Sequence, residues 1–194
     1  MADTVGILAY GSLIGDPGPE IEPHITRRIS CRTPFKVEFA RTSRTRKGGP
    51  TLVPYKDGSE VAAQILVVDL SLKEATNRLY RRETRRADSN ISYVPPKTVT
   101  PNKVVVESLR SFEGVETVLY TKIGPNIEGP TATKLAELAV NSARTLQDGK
   151  DGISYLINAR RCGMQTPLSP DYEKEILRLT ATDSLEAALA STHA

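Results

Sequence analysis

Tryptophan is absent from this 194-residue chain, and Phe and Tyr together make up only 5% of it. The core must therefore be assembled from Val, Leu, Ile and Ala. Cysteine and histidine are nearly as scarce, at two each. Cys31 and Cys162 lie far apart with no CxxC spacing, and only His24 and His193 could join them as soft ligands. Neither a zinc site nor a disulfide framework is expected from that set. Both cysteines are read as small buried hydrophobes, and His24 as a loop residue. No run approaches the roughly 18 apolar residues that a membrane span needs. Residues 1–15 also lack the cationic start and long apolar core of a signal peptide. A soluble, reducing, cytoplasmic setting is the expectation.

What is present is ordinary globular material. Hydrophobic residues make up 39% and charged residues 25%, and the chain is long enough to bury a core without disulfides or metals. We expect one domain over 1–194, with a core over about 4–123 and a helical C-terminal extension over about 130–191. A net charge of +3 is too weak to argue for nucleic acid.

Strand signals come first. Residues 5–10 form a short apolar run stopped by Gly11, the pattern of a buried strand ending in a turn. Gly15-Asp16-Pro17-Gly18-Pro19 can be neither helix nor ladder, so a loop extends to about Pro23. Residues 28–30 and 35–41 read as strands, followed by a basic, flexible turn over 44–50. Strands over 51–55 and 61–69 flank Lys56-Asp57-Gly58-Ser59, a hairpin-like connection. Ser71-Leu72-Lys73-Glu74 is a capping box that opens a helix running to about Arg85. Strands over 104–112 and 115–123 meet at Glu113-Gly114 in a tight hairpin. From Pro130 onward the pattern is helical over 131–146, 153–162, 169–179 and 184–191, with Ser169 as a cap before Pro170. Strands first, one helix between them and helices last predict an α+β protein, a mixed β-barrel-like fold with helices packed outside.

Two places carry chemistry. On a wheel at about 100° per residue, Ala75, Thr76 and Leu79 lie within about 60° of Leu72, and Glu83 about 20° from it. A carboxylate near the centre of an apolar face must be paired, protonated or used. Arg78, Arg81 and Arg85 point mostly to solvent on this wheel, and Arg82 and Arg86 flank the carboxylate. The plainer reading makes Glu83 a last-turn acid neutralised by Arg82 or Arg86. The second place is Tyr10-Gly11-Ser12-Leu13, where Gly11 permits positive φ and successive N–H groups can face one bound anion or carbonyl. Its plainer reading is an ordinary turn whose Tyr and Leu pack on neighbouring strands. The glycine spacing fits neither phosphate-loop pattern, and Pro17 and Pro19 prevent a helix there.

A first strand running into Tyr10-Gly11-Ser12-Leu13, then Ile14 and a Pro-containing loop, resembles the γ-glutamylcyclotransferase-like superfamily. The segment Leu79-Tyr80-Arg81-Arg82-Glu83 is similar to the Tyr-Arg-Glu segment of that superfamily's glutathione-degrading branch. Thr84-Arg85-Arg86-Ala87 stands where that branch continues into Gly-Tyr, and the stretch 33–54 also differs. The resemblance spans about 5–123. It implies that Tyr10, Gly11, Ser12 and Leu13 bind a γ-glutamyl group and that Glu83 is the general acid/base. The implied reaction closes 5-oxoproline and expels an amine, with a small γ-glutamyl compound as partner and no metal or organic cofactor. The departing amine is left open: an amino acid, a dipeptide, a polyamine or a protein-linked lysine. Tyr93 and Tyr155 are further aromatics without a motif assignment.

Two rival readings stand beside it. One is a non-catalytic module on the same fold that binds a γ-glutamyl-like or acidic ligand. The other is nucleic-acid binding through Arg41, Arg44, Arg46 and Lys47 with Arg81, Arg82, Arg85 and Arg86, which few aromatics interleave for stacking. The helical tail packs on the barrel or supports a homodimer, and the sequence does not choose.

Overall fold

The computed structural model describes residues 4–86, 90–146 and 149–193. Contacts divide the chain into two compact units, Met1–Thr33 with Ala62–Gly124 and Pro34–Val61 with Pro125–Ala194.

The first unit is built around β1 (Val5–Ala9), buried at every position. The strands β2 (Ile25–Arg32), β5 (Ala62–Val68), β6 (Val105–Phe112) and β7 (Val115–Lys122) complete a five-stranded sheet in the order β2-β5-β1-β7-β6; β3 and β4 belong to the other unit. β1 runs antiparallel to β5 and parallel to β7, so the sheet is mixed. Gly6 lets these strands close up, since a Cβ there would meet Ile65 Cγ2 at 2.5 Å. The β6–β7 hairpin turns at Glu113 and Gly114, both at positive φ (51° and 76°), as the pair predicted.

The α+β class holds, but the barrel does not. The sheet is open, with β2 and β6 at its edges. Both edges are largely solvent-facing and carry charge, including Arg27, Arg28 and Arg32 on β2 and Glu107 and Arg110 on β6. Such side chains oppose further pairing along a free edge.

Helix α1 (Leu72–Thr84) starts at the expected capping box. The Glu74 N–H donates to Ser71 Oγ at 3.3 Å, and the Ser71 N–H donates back to the Glu74 carboxylate at 3.3 Å. Ala75 and Leu79 enter a cluster with Val5, Ile7 and Ala9 of β1, Leu66 and Val68 of β5, and Leu119 of β7. Alternate residues of β1 thus seat the helix directly above the strand that leads into the Tyr10–Leu13 turn.

In the second unit, β3 (Val37–Thr42) pairs with β4 (Pro50–Pro54) in a two-stranded sheet. The hairpin expected between 51–55 and 61–69 does not form. Instead the turn through Gly58 folds back on β3, where Val37 and Ser59 exchange backbone hydrogen bonds at 2.9 and 3.1 Å. A Cβ at Gly58 would lie 2.0 Å from the Val37 carbonyl oxygen, so only glycine allows this approach.

Four helices pack with that hairpin: α2 (Ala132–Thr145), α3 (Gly152–Arg161), α4 (Ser169–Thr180) and α5 (Leu185–Thr192). Thr131, Asp151 and Ser184 cap the first, second and fourth of these. At α4 the cap differs from expectation, because Leu168 takes the N-cap position and Ser169 is already helical. Glu38 of β3 compensates by accepting from the Leu168 N–H at 3.2 Å and from Thr166 Oγ1 at 2.5 Å. Burial pushes the Glu38 carboxyl above the ordinary carboxylate range. Phe39 meets Tyr172 and Tyr155 edge-on, with ring centroids 5.2 and 6.1 Å apart.

The turn over 44–50 is folded rather than loose. Arg44–Arg46 is one turn of 3₁₀ helix, and Ser142 Oγ donates to the Arg46 carbonyl at 2.5 Å. The Arg46 guanidinium lies 4.6 Å from the centre of the Tyr155 ring. Cys31 and Cys162 are free thiols and half-buried, not fully buried as expected. Among the described residues, no helix is long and apolar enough to cross a membrane.

Candidate functional site

The strand β1 delivers the chain into the turn that the sequence singled out. Tyr10 is still extended, Gly11 adopts φ +60°, and Gly11–Leu13 closes one turn of 3₁₀ helix. A side chain at Gly11 would be strained in that left-handed conformation. The Asp16 N–H donates to the Ser12 carbonyl at 3.0 Å, which carries the turn into the proline loop. Leu13 is buried in the cluster beneath α1, so its side chain is structural and only its backbone remains for recognition. Ser12 is half-buried and presents its hydroxyl toward the last turn of α1.

Arg82 joins the two candidate features. Its Nη2 donates to Ser12 Oγ at 3.3 Å and to the Asp16 carbonyl at 2.6 Å, and Nε donates to the same carbonyl at 3.1 Å. Its Nη1 donates to Glu83 Oε1 at 2.6 Å. The turn at residues 10–13 and the acid at 83 are thereby held by one guanidinium. Glu83 Oε2 has no hydrogen-bond partner among the described residues, and the side chain is 24% exposed.

That exposure corrects the helical wheel. Leu72 is 43% exposed, because the first turn of α1 stands outside the core. The buried direction lies between Ala75 and Leu79, so Glu83 falls about 60° from its centre and Arg82 about 40° on the other flank. Glu83 is therefore at the rim of the packed face.

Arg81 is a second correction. It lies opposite Leu72 on the wheel and was expected in solvent, yet it is only 7% exposed. The proline loop covers that side of the helix. Arg81 Nε donates to both Glu20 carboxylate oxygens at 3.0 and 2.9 Å, its Nη2 also contacts Glu20, and Nη1 donates to the Ile91 carbonyl at 3.0 Å. Arg78 adds a bond to the Glu20 carbonyl at 2.8 Å. The Arg81 bonds hold the Glu20 carboxyl below the ordinary carboxylate range against the opposing push of burial. Glu20 had no sequence signal beyond its place in a loop, since its partner lies 61 positions away.

Between the loop and the helix end lies a cavity of about 270 Å³, lined by residues 16–20 and by Arg81, Arg82, Arg85 and Arg86. Gly18 sits at φ +87°, where a Cβ would press on the Arg82 stem at 3.2 Å. Tyr93 is engaged elsewhere in this unit, accepting from the Val106 N–H at 3.1 Å and packing on Tyr80. Tyr155 belongs to the second unit, where its hydroxyl accepts from the Leu52 N–H at 3.3 Å. His24 pairs with Asp69 at 2.8 Å in an exposed loop setting.

Against this geometry, known protein-family models and curated proteins were compared with the chain, and none of them matches it.

Proposed function

We propose that this protein is a γ-glutamylcyclotransferase-type enzyme with a γ-glutamylcyclotransferase-like fold in its first unit. The supporting observation is the Arg82 bridge, which ties Ser12 Oγ to Glu83 Oε1 and leaves Glu83 Oε2 without a hydrogen-bond partner among the described residues. A bidentate lock would use up both oxygens; this contact orients the carboxylate and leaves one oxygen to take a proton.

The reaction is an intramolecular aminolysis. The α-amine nitrogen of the γ-glutamyl group bonds to its own γ-carbonyl carbon, and the bond from that carbon to the departing nitrogen breaks. Two protons leave the attacking ammonium, and two are needed to release the other nitrogen as an ammonium. One carboxylate, Glu83, shuttles both in turn. Holding the chain curled makes the attack an oriented unimolecular step, and that orientation supplies much of the acceleration. Tyr10 and Gly11 shape the turn, and the Ser12 hydroxyl with the Ser12 and Leu13 N–H groups faces the developing oxyanion.

Glu83→Gln should abolish 5-oxoproline release from a panel of γ-glutamyl compounds while binding, followed by calorimetry, persists. Full activity in that variant would remove Glu83 from the mechanism. The Arg82–Glu83 contact also favours a second reading, a binding protein for γ-glutamyl-like or acidic ligands. That reading requires wild-type binding with no 5-oxoproline formed. Nucleic-acid binding is less favoured, because Arg46, Arg81 and Arg82 are committed to internal partners.

A further inference from the structure

The edge strand β2 carries the run Arg27-Arg28-Ile29-Ser30, in which two cations stand two and three residues before a hydroxyl. The site at the end of β1 makes no use of that hydroxyl. Because β2 is an edge of the sheet, Arg27, Arg28 and Ser30 are all exposed on an extended backbone, with Ile29 half-buried between them. The Ser30 hydroxyl and the Arg27 guanidinium have no hydrogen-bond or ion-pair partner among the described residues.

Strand register links this run to the Tyr10–Leu13 turn. Ser30 stands opposite Gln64 of β5 and Arg28 opposite Leu66, so both side chains lie on the face that Leu66 shares with α1. Two strand positions, about 7 Å, separate them. The Arg28 guanidinium reaches along that row toward Ser30, where Nη1 donates to Gln64 Oε1 at 3.5 Å. Nη1 also donates to the Ile14 carbonyl at 3.3 Å, and Nη2 donates to both Glu22 carboxylate oxygens at 3.2 and 3.1 Å. Ile14 directly follows the turn, so Arg28 staples the end of the turn to β2. The bonds of this staple are long and partly exposed.

We propose that Ser30 is a phosphorylation site for an arginine-directed serine kinase, and that its phosphate draws Arg28 off the Ile14 carbonyl. An extended segment with exposed side chains is a form in which a groove reads a peptide, and carboxylates in such a groove recognise guanidiniums. In the transfer, the bond from the γ-phosphorus of ATP to its bridging oxygen breaks and a bond from that phosphorus to Ser30 Oγ forms. The hydroxyl proton passes to the kinase's base, and ADP leaves. The product carries about −2 charge and three acceptor oxygens beside Arg28, against the single charge of Glu22. An exposed carboxylate holds a guanidinium weakly, and a phosphate offers it bidentate bonds instead. Arg32, two positions beyond Ser30 on the same face, adds to the attraction.

The test incubates the native protein with cyclic-AMP-dependent protein kinase and magnesium ATP, followed by intact mass and peptide mapping. The wild type should gain one phosphoryl group, at Ser30, and Ser30→Ala none. Arg27→Ala should lower the kinase's kcat/KM for the protein by about ten- to a hundredfold, the range of a charge-assisted contact. Hydrogen exchange of peptides spanning 10–16 should then run about two- to tenfold faster in the phosphorylated protein, the factor for one net hydrogen bond. Arg28→Ala should reproduce that acceleration without kinase, and peptides of α2 should stay unchanged in both. No incorporation into the native protein, or incorporation at another residue, overturns the site. Unchanged exchange over 10–16 in protein phosphorylated at Ser30 overturns the coupling, as does equal acceleration in α2, which would mean general loosening. None of these readouts involves 5-oxoproline, so they stand apart from the cyclotransferase reading.

Discussion

Replacing Arg81 by methionine isolates the ion pair that fastens the proline loop to α1. Arg81 is 7% exposed and gives three N–H contacts to Glu20 and one to the Ile91 carbonyl. Breaking a fully buried pair costs about 3–5 kcal/mol. Glu20 is 33% exposed, so once abandoned it rehydrates in part, and methionine refills the space of the arginine stem. We therefore expect a loss of about 2–3 kcal/mol, at or just below the lower end of that range. At a urea m-value of roughly 2 kcal/mol/M, the unfolding midpoint falls by about 1–1.5 M. Hydrogen exchange of peptides spanning 78–86 should report the same loss locally.

The pH dependence has a definite sign. The folded-state value of Glu20 is lowered from 4.5, so its contribution is fully present above that value and fades as pH falls through the folded-state value. Wild type and Arg81→Met should accordingly converge on acidification below about pH 4.5. A midpoint shift under about 0.25 M at pH 7, or a gap that widens in acid, would refute the assignment.

Tyr172 is fully buried and its hydroxyl has no hydrogen-bond partner among the described residues, so Tyr172→Phe should be neutral or stabilising by about 1 kcal/mol in thermal unfolding; a loss above that would expose a hidden partner. Gly58→Ala should destabilise the β3–β4 unit by about 2–4 kcal/mol, since its Cβ has no room beside Val37; urea unfolding with an unchanged midpoint would contradict the turn. Burial, with Glu113 nearby, pushes the Cys31 thiol up to about 11. Iodoacetamide should therefore modify Cys31 far more slowly than a free thiol at pH 7.5, with mass spectrometry following each site and fast labelling counting against that shift.

The local elements were readable because their causes are local. Ser71 and Glu74 form their capping box across three residues, and Glu113-Gly114 supplies two positive φ values in succession. The apolar run at 5–9 is buried on both faces wherever it pairs, so its strand needed no partner to be recognised. Pairing was not readable to the same degree. A hairpin between 51–55 and 61–69 was the natural inference from spacing, and contact between Gly58 and Val37 redirected it. Closure into a barrel was likewise a question for the sheet edges, which no single strand's pattern answers.

The sequence alone placed a glycine turn at the end of the first strand and an acid at the end of the first helix, because periodicity and turn chemistry act within a few residues. Tertiary structure alone decided what each arginine does. Arg81 went from solvent to a buried pair because a loop 61 positions away folds over it, and Arg82 became the bridge between Ser12 and Glu83. A guanidinium reaches any acceptor the fold brings within a few ångströms, and which acceptors arrive is a long-range property of the chain.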